Sequence, residues 1–139
     1  MKKYVFERNL EHLPGLTAQG FLPTDHPAYA AKRKQFLDSA TYFKQSLDAM
    51  HVLKSFGKSQ LISSWQKDNC KPSKLRELIE WHSGNPVSIG AIILAAYALG
   101  FELHRDPHSY EPSFNMQARQ VETELRQLKV RQMIEKMVS

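Results

Sequence analysis

The sequence predicts an all-α fold, a single compact domain of about five helices, and three observations carry that prediction. Apolar residues recur at spacings of three and four in two long segments, 27–56 and 116–138, which is the period of a helix with one buried side. Between these segments, residues 87–101 contain no charged side chain, as expected of a buried central helix. The 139 residues match the length of one domain with its own core.

The first 26 residues are predicted to be an irregular arm. Pro14, Gly15, Gly20 and Pro23 interrupt this segment, and prolines and glycines at such intervals mark turns. The apolar side chains between the turns are expected to lie on the core. A short helix or strand inside the arm is compatible with the sequence.

A long helix is predicted over 27–56, at the start of a core region that extends to residue 115. Asp25 suits its N-cap, Pro27 its first turn and Gly57 its end. One side of this helix is predicted to face the core, with a stripe of five residues: Phe36, Ala40, Phe43, Leu47 and Met50.

Three shorter elements complete the predicted core. Helices are expected over about 59–66 and over 74–82, each with apolar residues on one side. The central helix covers 87–99. Prolines break up residues 101–115, which are predicted to be a loop with room for a short strand at 101–104.

The last helix, predicted over 116–138, carries two apolar stripes in succession. Val121, Leu125 and Leu128 share one side and are expected to pack on the domain. The second stripe lies on roughly the opposite side. It is predicted to contact a second copy of the chain or another protein, unless a bend folds the end of the helix back onto the arm. This dimer or partner interface consists of Val130, Met133, Ile134 and Met137.

Composition excludes several classes of protein. The chain is 42% hydrophobic and 24% charged, which excludes wholesale disorder. A single cysteine excludes an internal disulfide and gives no support to a cysteine-based zinc site. The first apolar run ends at Glu7, too early for an export signal, and the 15 uncharged residues of 87–101 are too few to span a membrane. We therefore expect a cytoplasmic protein without a membrane segment.

The positive charge is concentrated in one part of the chain. The net charge is +5, but residues 32–76 contain ten basic and three acidic residues, a net of +7. A basic face of this kind fits an acidic protein partner or a nucleic acid backbone, and a solvated lysine-rich surface is the alternative. The ten basic residues are Lys32, Arg33, Lys34, Lys44, Lys54, Lys58, Lys67, Lys71, Lys74 and Arg76.

A helix-turn-helix motif is compatible with the lengths of the predicted helices 74–82 and 87–99. A recognition helix must present polar and basic side chains to base edges. The second of these helices offers only Ser88 and Tyr97 as polar side chains. The sequence therefore argues against a helix that reads the major groove.

Catalytic and metal-binding patterns are weak. His104 and His108 lie close together, but Pro107 prevents a regular helix from placing both rings on one side. The sequence contains no phosphate-binding glycine loop, nucleophile elbow or His-Glu-x-x-His. Neighbouring lysines would lower the pKa of Cys70, although a lone loop cysteine is more often incidental. We expect a protein that is not an enzyme, with no metal, cofactor or small-molecule substrate.

Four pieces of the sequence carry a resemblance to a known group of proteins. They are SKLRELIE at 73–80, VSIGAIILAA at 87–96, Gly100-Phe101, and PSFN at 112–115. In this order they resemble the patterns S-Y-x-L-K-H-L-x-E, V-S-N-G-A-F-I-A-A-A, Gly-Phe and Pro-Asn-x-x-Phe-Asn of small uncharacterised proteins of integrative and conjugative elements, plasmids and prophages. That group has His where this chain has Glu77 and Asn where it has Ile89. The resemblance implies a mobile-element origin and no established reaction, so no catalytic residue is carried over.

Two functional hypotheses follow. The first is a non-catalytic binding protein of a mobile genetic element that docks on a host or element protein, as an inhibitor or modulator of a defence or transfer system. The alternative is a small basic DNA-binding regulator that acts as a dimer. The apolar central helix favours the first hypothesis. The basic segment favours the second, because phosphate binding needs only lysine and arginine.

Overall fold

The computed structural model describes residues 1–138 and is predominantly helical, as predicted. Within this range it contains seven helices, not about five, and two small antiparallel sheets that the all-α prediction lacked. The helices are α1 (Lys3–Glu11), α2 (Tyr29–Asp38), α3 (Ala40–Leu53), α4 (Ser64–Asn69), α5 (Pro72–Ser83), α6 (Ile89–Ala98) and α7 (Ala118–Val138).

Each sheet is a pair of two-residue strands. In the first, β1 (Leu16–Thr17) pairs with β2 (Gly20–Phe21), with Leu16 opposite Phe21. In the second, β3 (Leu103–His104) pairs with β4 (Ser113–Phe114). The β1–β2 hairpin packs against α6, and β4 packs against α4, so both sheets serve to hold loops on the helical core.

Helix α6 is the centre of the fold. The Ser88 hydroxyl caps it by accepting a hydrogen bond from the Ala91 N–H at 3.2 Å. Every side chain from 91 to 96 is fully buried, as predicted for the uncharged central helix. Helix α3 packs on it most extensively, and α1, α5 and β2 cover other sides. A helix without charged residues can be surrounded in this way because it presents no side chain that needs water.

The N-terminal arm is more regular than predicted. Residues 3–11 form α1, and Phe6 and Leu10, four positions apart, point into the core. The β1–β2 hairpin follows, closed by a hydrogen bond from the Thr17 hydroxyl to the Gly20 carbonyl oxygen at 3.0 Å. The spacing of four between Phe6 and Leu10 is the feature of the sequence that indicates α1, and the prediction of an irregular arm did not use it.

The single helix predicted over 27–56 is wrong, because the chain breaks at Ser39. This residue has an extended backbone, and its hydroxyl accepts the Tyr42 N–H at 3.3 Å as the N-cap of α3. Of the predicted stripe, Ala40 is exposed, whereas Ser46 and Ala49, which lie outside that stripe, are buried in the core. The Ser46 hydroxyl is satisfied within α3 because it donates to the Tyr42 carbonyl oxygen at 3.1 Å.

Helix α7 matches the predicted last helix closely. Its first half packs against α4 and α5, and Val121 and Leu128 are buried as predicted. Its second half extends away with exposed apolar side chains, so the alternative of a bend back onto the arm is wrong. Within residues 1–138, no helix combines the length and the apolar character that a bilayer crossing requires.

Candidate functional site

The second half of α7 presents a contiguous apolar surface to solvent. Five of the nine exposed large hydrophobic residues in the described structure lie here, so the exposure is concentrated and not scattered. Burial would stabilise each such side chain by roughly 1.5–3 kcal/mol, and in the free chain that stabilisation is forgone. We call this surface the C-terminal apolar face: Val130, Met133, Ile134, Met137 and Val138, which are 51–82% exposed.

Charged residues interleave with the C-terminal apolar face. Lys129, Arg131 and Lys136 are basic and Glu135 is acidic, which gives residues 129–138 a formal charge of +2. The face is therefore an apolar patch in a positively charged setting. This combination favours a partner surface that is apolar at its centre and acidic around it.

Arg33, one of the ten predicted basic-face residues, has a structural role. Its Nη2 donates to the Leu10 carbonyl oxygen at 2.6 Å. Its Nη1 donates to the carbonyl oxygens of Leu13 at 2.8 Å and Leu16 at 3.1 Å. These carbonyls belong to the end of α1, the turn after it and the first residue of β1. The guanidinium therefore fixes α1 and the first hairpin to α2, and three of its five N–H donors are engaged in these bonds.

We expect the Arg33→Gln variant to unfold with a free energy about 1.5 kcal/mol lower than that of the wild type, since charged hydrogen bonds to partly buried carbonyls are lost. Urea unfolding followed by circular dichroism measures the difference. Lys34→Gln, at an exposed neighbouring position, is the control and should change the stability by less than about 0.5 kcal/mol. Equal stabilities of the two variants would mean that Arg33 has no structural role and belongs to the predicted basic face.

Three other predicted basic residues face carboxylates. Lys44 lies 3.4 Å from Asp48, Lys71 3.9 Å from Glu111, and Arg76 3.8 Å from Glu80, in each case from nitrogen to carboxylate oxygen. These pairs are partly exposed and reduce the local charge without adding much stability. Within residues 1–138, six side chains of the predicted face have no carboxylate partner: Lys32, Lys34, Lys54, Lys58, Lys67 and Lys74.

The ten predicted basic residues lie on α2, on α3 and the segment after it, on α4, at the junction of α4 with α5, and on α5. Lys67 and Lys71 line one common cleft, together with Arg105, which the sequence analysis did not single out. Lys58 lies elsewhere, with its amine 5.9 Å from the centre of the Phe101 ring.

Cys70 is fully buried between α4 and α5. Burial raises the pKa of its thiol to about 12, because removal from water disfavours the thiolate. Lys67 and Lys71 therefore do not activate it, and the thiol is protonated at neutral pH. Buried, protonated cysteines of this kind are chemically inert.

The histidines that suggested a weak metal site are not assembled into one. His104 lies in β3, with its Nε2 3.4 Å from a Glu102 carboxylate oxygen, and His108 is exposed in the following loop. Across residues 1–138, no group of three or more His, Cys, Asp or Glu side chains is arranged to hold a metal ion.

An open cleft of about 610 Å³ is the feature that sequence analysis missed. It lies where the arm, the end of α6 and the β3 segment meet. The buried apolar side chains of Phe21 and Phe101 form part of its lining, and its polar groups come from His12, Tyr97 and Arg105. These residues come from two distant stretches of the chain, 12–21 and 97–105, so no local motif marks the cleft.

Two contacts order the polar groups of the cleft. The Tyr97 hydroxyl and His12 Nδ1 are 3.2 Å apart and share a hydrogen bond. The Arg105 guanidinium carbon lies 3.5 Å from the centre of the Phe21 ring, a stacked cation–π contact. Partial burial lowers the pKa of Arg105 from its usual value, because desolvation disfavours the charged form.

Comparisons of the chain with protein-family models, with curated proteins and with solved structures find no match.

Proposed function

We propose that the chain is a non-catalytic binding protein of a mobile genetic element, which docks on a host or element protein through the C-terminal apolar face. The exposed second half of α7 carries the proposal, because the domain gives that half of the helix nothing to pack on. The mobile-element origin rests on the resemblance of residues 73–115. Occupation of a groove on a defence or transfer protein would make the chain an inhibitor or modulator of that system.

The proposed occupant of the face is an apolar groove with acidic groups around it. An amphipathic helix binds such a groove through side chains one turn apart, and Met133 and Ile134 are followed by Met137 at that spacing. Methionine suits this use because its flexible side chain adapts to the partner surface. The positive charge of residues 129–138 disfavours the face of a second copy and favours an acidic partner.

The test compares a substitution within the C-terminal apolar face with one that lies just before the face on the same helix. Met133→Asp places a charge in the face, whereas Gln127→Asp places the same charge at an exposed polar position. A partner is first captured from a host extract and purified. Its affinity is then measured for the wild type, both variants and a chain that ends at Lys129. We expect Met133→Asp and the shortened chain to bind at least about tenfold more weakly, and Gln127→Asp to bind like the wild type.

Sedimentation of the free chain is expected to give a monomer. A dimer that Met133→Asp dissociates would assign the face to a second copy and overturn the acidic-partner proposal. Full affinity of the shortened chain for the purified partner would leave the C-terminal apolar face without a role.

The alternative, a basic DNA-binding regulator, is favoured by the six lysines that have no carboxylate partner within residues 1–138. Its signature is binding to unrelated duplex DNA that weakens steeply as salt rises. Lys32→Glu and Lys34→Glu would reduce that binding, whereas Met133→Asp would not. DNA binding with this pattern, and no protein partner sensitive to Met133, would replace the proposed function.

A further inference from the structure

The cleft between the arm and β3 combines an apolar lining with a cation that has no anionic partner. Leu13, Phe21 and Phe101 line it and are at most 6% exposed, so their positions are fixed by the core. Its volume of about 610 Å³ lies within the usual range for small-molecule sites. The cleft is thus a preformed apolar surface of the size of a small ligand.

Arg105 is held in an orientation that leaves its donors available. Its guanidinium carbon lies over the Phe21 ring, 3.5 Å from the ring centre. A planar guanidinium this close to the ring lies along its face, so the in-plane N–H groups run parallel to the ring and are not directed into it. Within residues 1–138, no carboxylate or hydrogen-bond acceptor occupies these N–H groups. The stacking therefore positions the side chain without using its hydrogen-bonding capacity.

We propose that this cleft binds a small molecule that carries one carboxylate beside a planar apolar body. The carboxylate would pair with the in-plane N–H groups of Arg105, and the apolar body would lie along Pro14 and Leu103, the accessible apolar side chains of the lining. This is a ligand site without a reaction, and it is independent of the docking function proposed for α7.

The charges around the cleft favour a carboxylate over a more highly charged group. Glu102 also belongs to the lining, with its carboxylate 3.4 Å from His104 Nε2. The negative charge of Glu102 offsets part of the positive charge of Arg105. One guanidinium therefore balances a singly charged carboxylate better than a doubly charged phosphate. The planar two-oxygen geometry of a carboxylate also fits the guanidinium fork, which allows two parallel hydrogen bonds.

The experiment titrates the full chain with naphthoate and with its uncharged amide, naphthamide, and follows backbone amide signals by NMR. We expect naphthoate to shift the signals of residues 12–21 and 101–105 in a saturable manner. Naphthamide should bind at least about tenfold more weakly, because it lacks the charge that pairs with Arg105. Arg105→Gln should weaken naphthoate binding by a similar factor and bind the two probes alike.

Arg119→Gln, an exposed arginine on α7, is the matched control and should bind naphthoate like the wild type. The comparison of acid with amide on the wild-type chain keeps the test valid even if Arg105→Gln is unstable. Equal affinity for the two probes, equal naphthoate binding by Arg105→Gln and the wild type, or shifts confined to other parts of the chain would overturn the proposal.

Discussion

Replacement of Gly90 by alanine is expected to destabilise the protein by about 3 kcal/mol, despite the better helix propensity of alanine. A Cβ at this position of α6 would overlap the Thr17 carbonyl oxygen and would lie 2.8 Å from the Thr17 carbonyl carbon and 2.9 Å from the Ala18 Cα. These atoms are backbone, so no side-chain rotation relieves the overlap. The Gly90 N–H also donates to the Ala18 carbonyl oxygen at 3.0 Å, a bond that the displaced hairpin would lose.

Two opposing effects decide the outcome of this substitution. Alanine in place of glycine stabilises a helix interior by up to about 1 kcal/mol. Insertion of an atom into a packed site costs about 1–3 kcal/mol, and more where backbone must move. The steric effect is therefore expected to win.

Urea unfolding measures the change, and Gly84→Ala is the control. Gly84 has a positive φ of 72°, but a Cβ there would meet nothing within 4 Å. That control should lose only the roughly 1–2 kcal/mol of left-handed strain. If Gly90→Ala is no more destabilising than Gly84→Ala, the hairpin does not pack on α6 as described.

Replacement of Ile92 by alanine is expected to lower the free energy of unfolding by about 2–5 kcal/mol. Ile92 is fully buried in α6, with packed helices on several sides, so the core has little freedom to close the resulting cavity. Leu61→Ala is the control, because Leu61 is 81% exposed and removal of its side chain leaves no cavity. Urea unfolding of both variants should show a large loss for Ile92→Ala and less than about 0.5 kcal/mol for Leu61→Ala. Similar stabilities would contradict the central position of α6.

The elements that could be predicted from the sequence are those whose residue pattern fits only one kind of environment. The uncharged α6 has no side suited to water, and the two stripes of α7 cannot both face one core. The break at Ser39 could not be read from apolar periodicity, because Phe36 and Phe43 keep helical spacing across it. A serine at an N-cap is a local signal, but the same residue is tolerated inside a helix.

The candidate sites divide in the same way. The C-terminal apolar face could be predicted because its residues are neighbours on one helix. The role of Arg33 could not, since it depends on carbonyl groups that carry no side-chain signature. The cleft at Arg105 required the fold to bring together residues that are far apart in sequence, and Phe21 and Arg105 have no relation before the chain is folded.

The contact between the first hairpin and Gly90 also constrains the order of folding during synthesis. Thr17 and Gly90 are 73 positions apart, so the hairpin is made long before the helix that it packs on. At about 5–20 residues per second, the ribosome needs roughly 4–15 s to add the intervening chain. During this interval Leu16 and Phe21, both buried in the finished core, have no α6 to contact. The apolar residues of the hairpin thus stay without their partner helix until most of the chain has been synthesised.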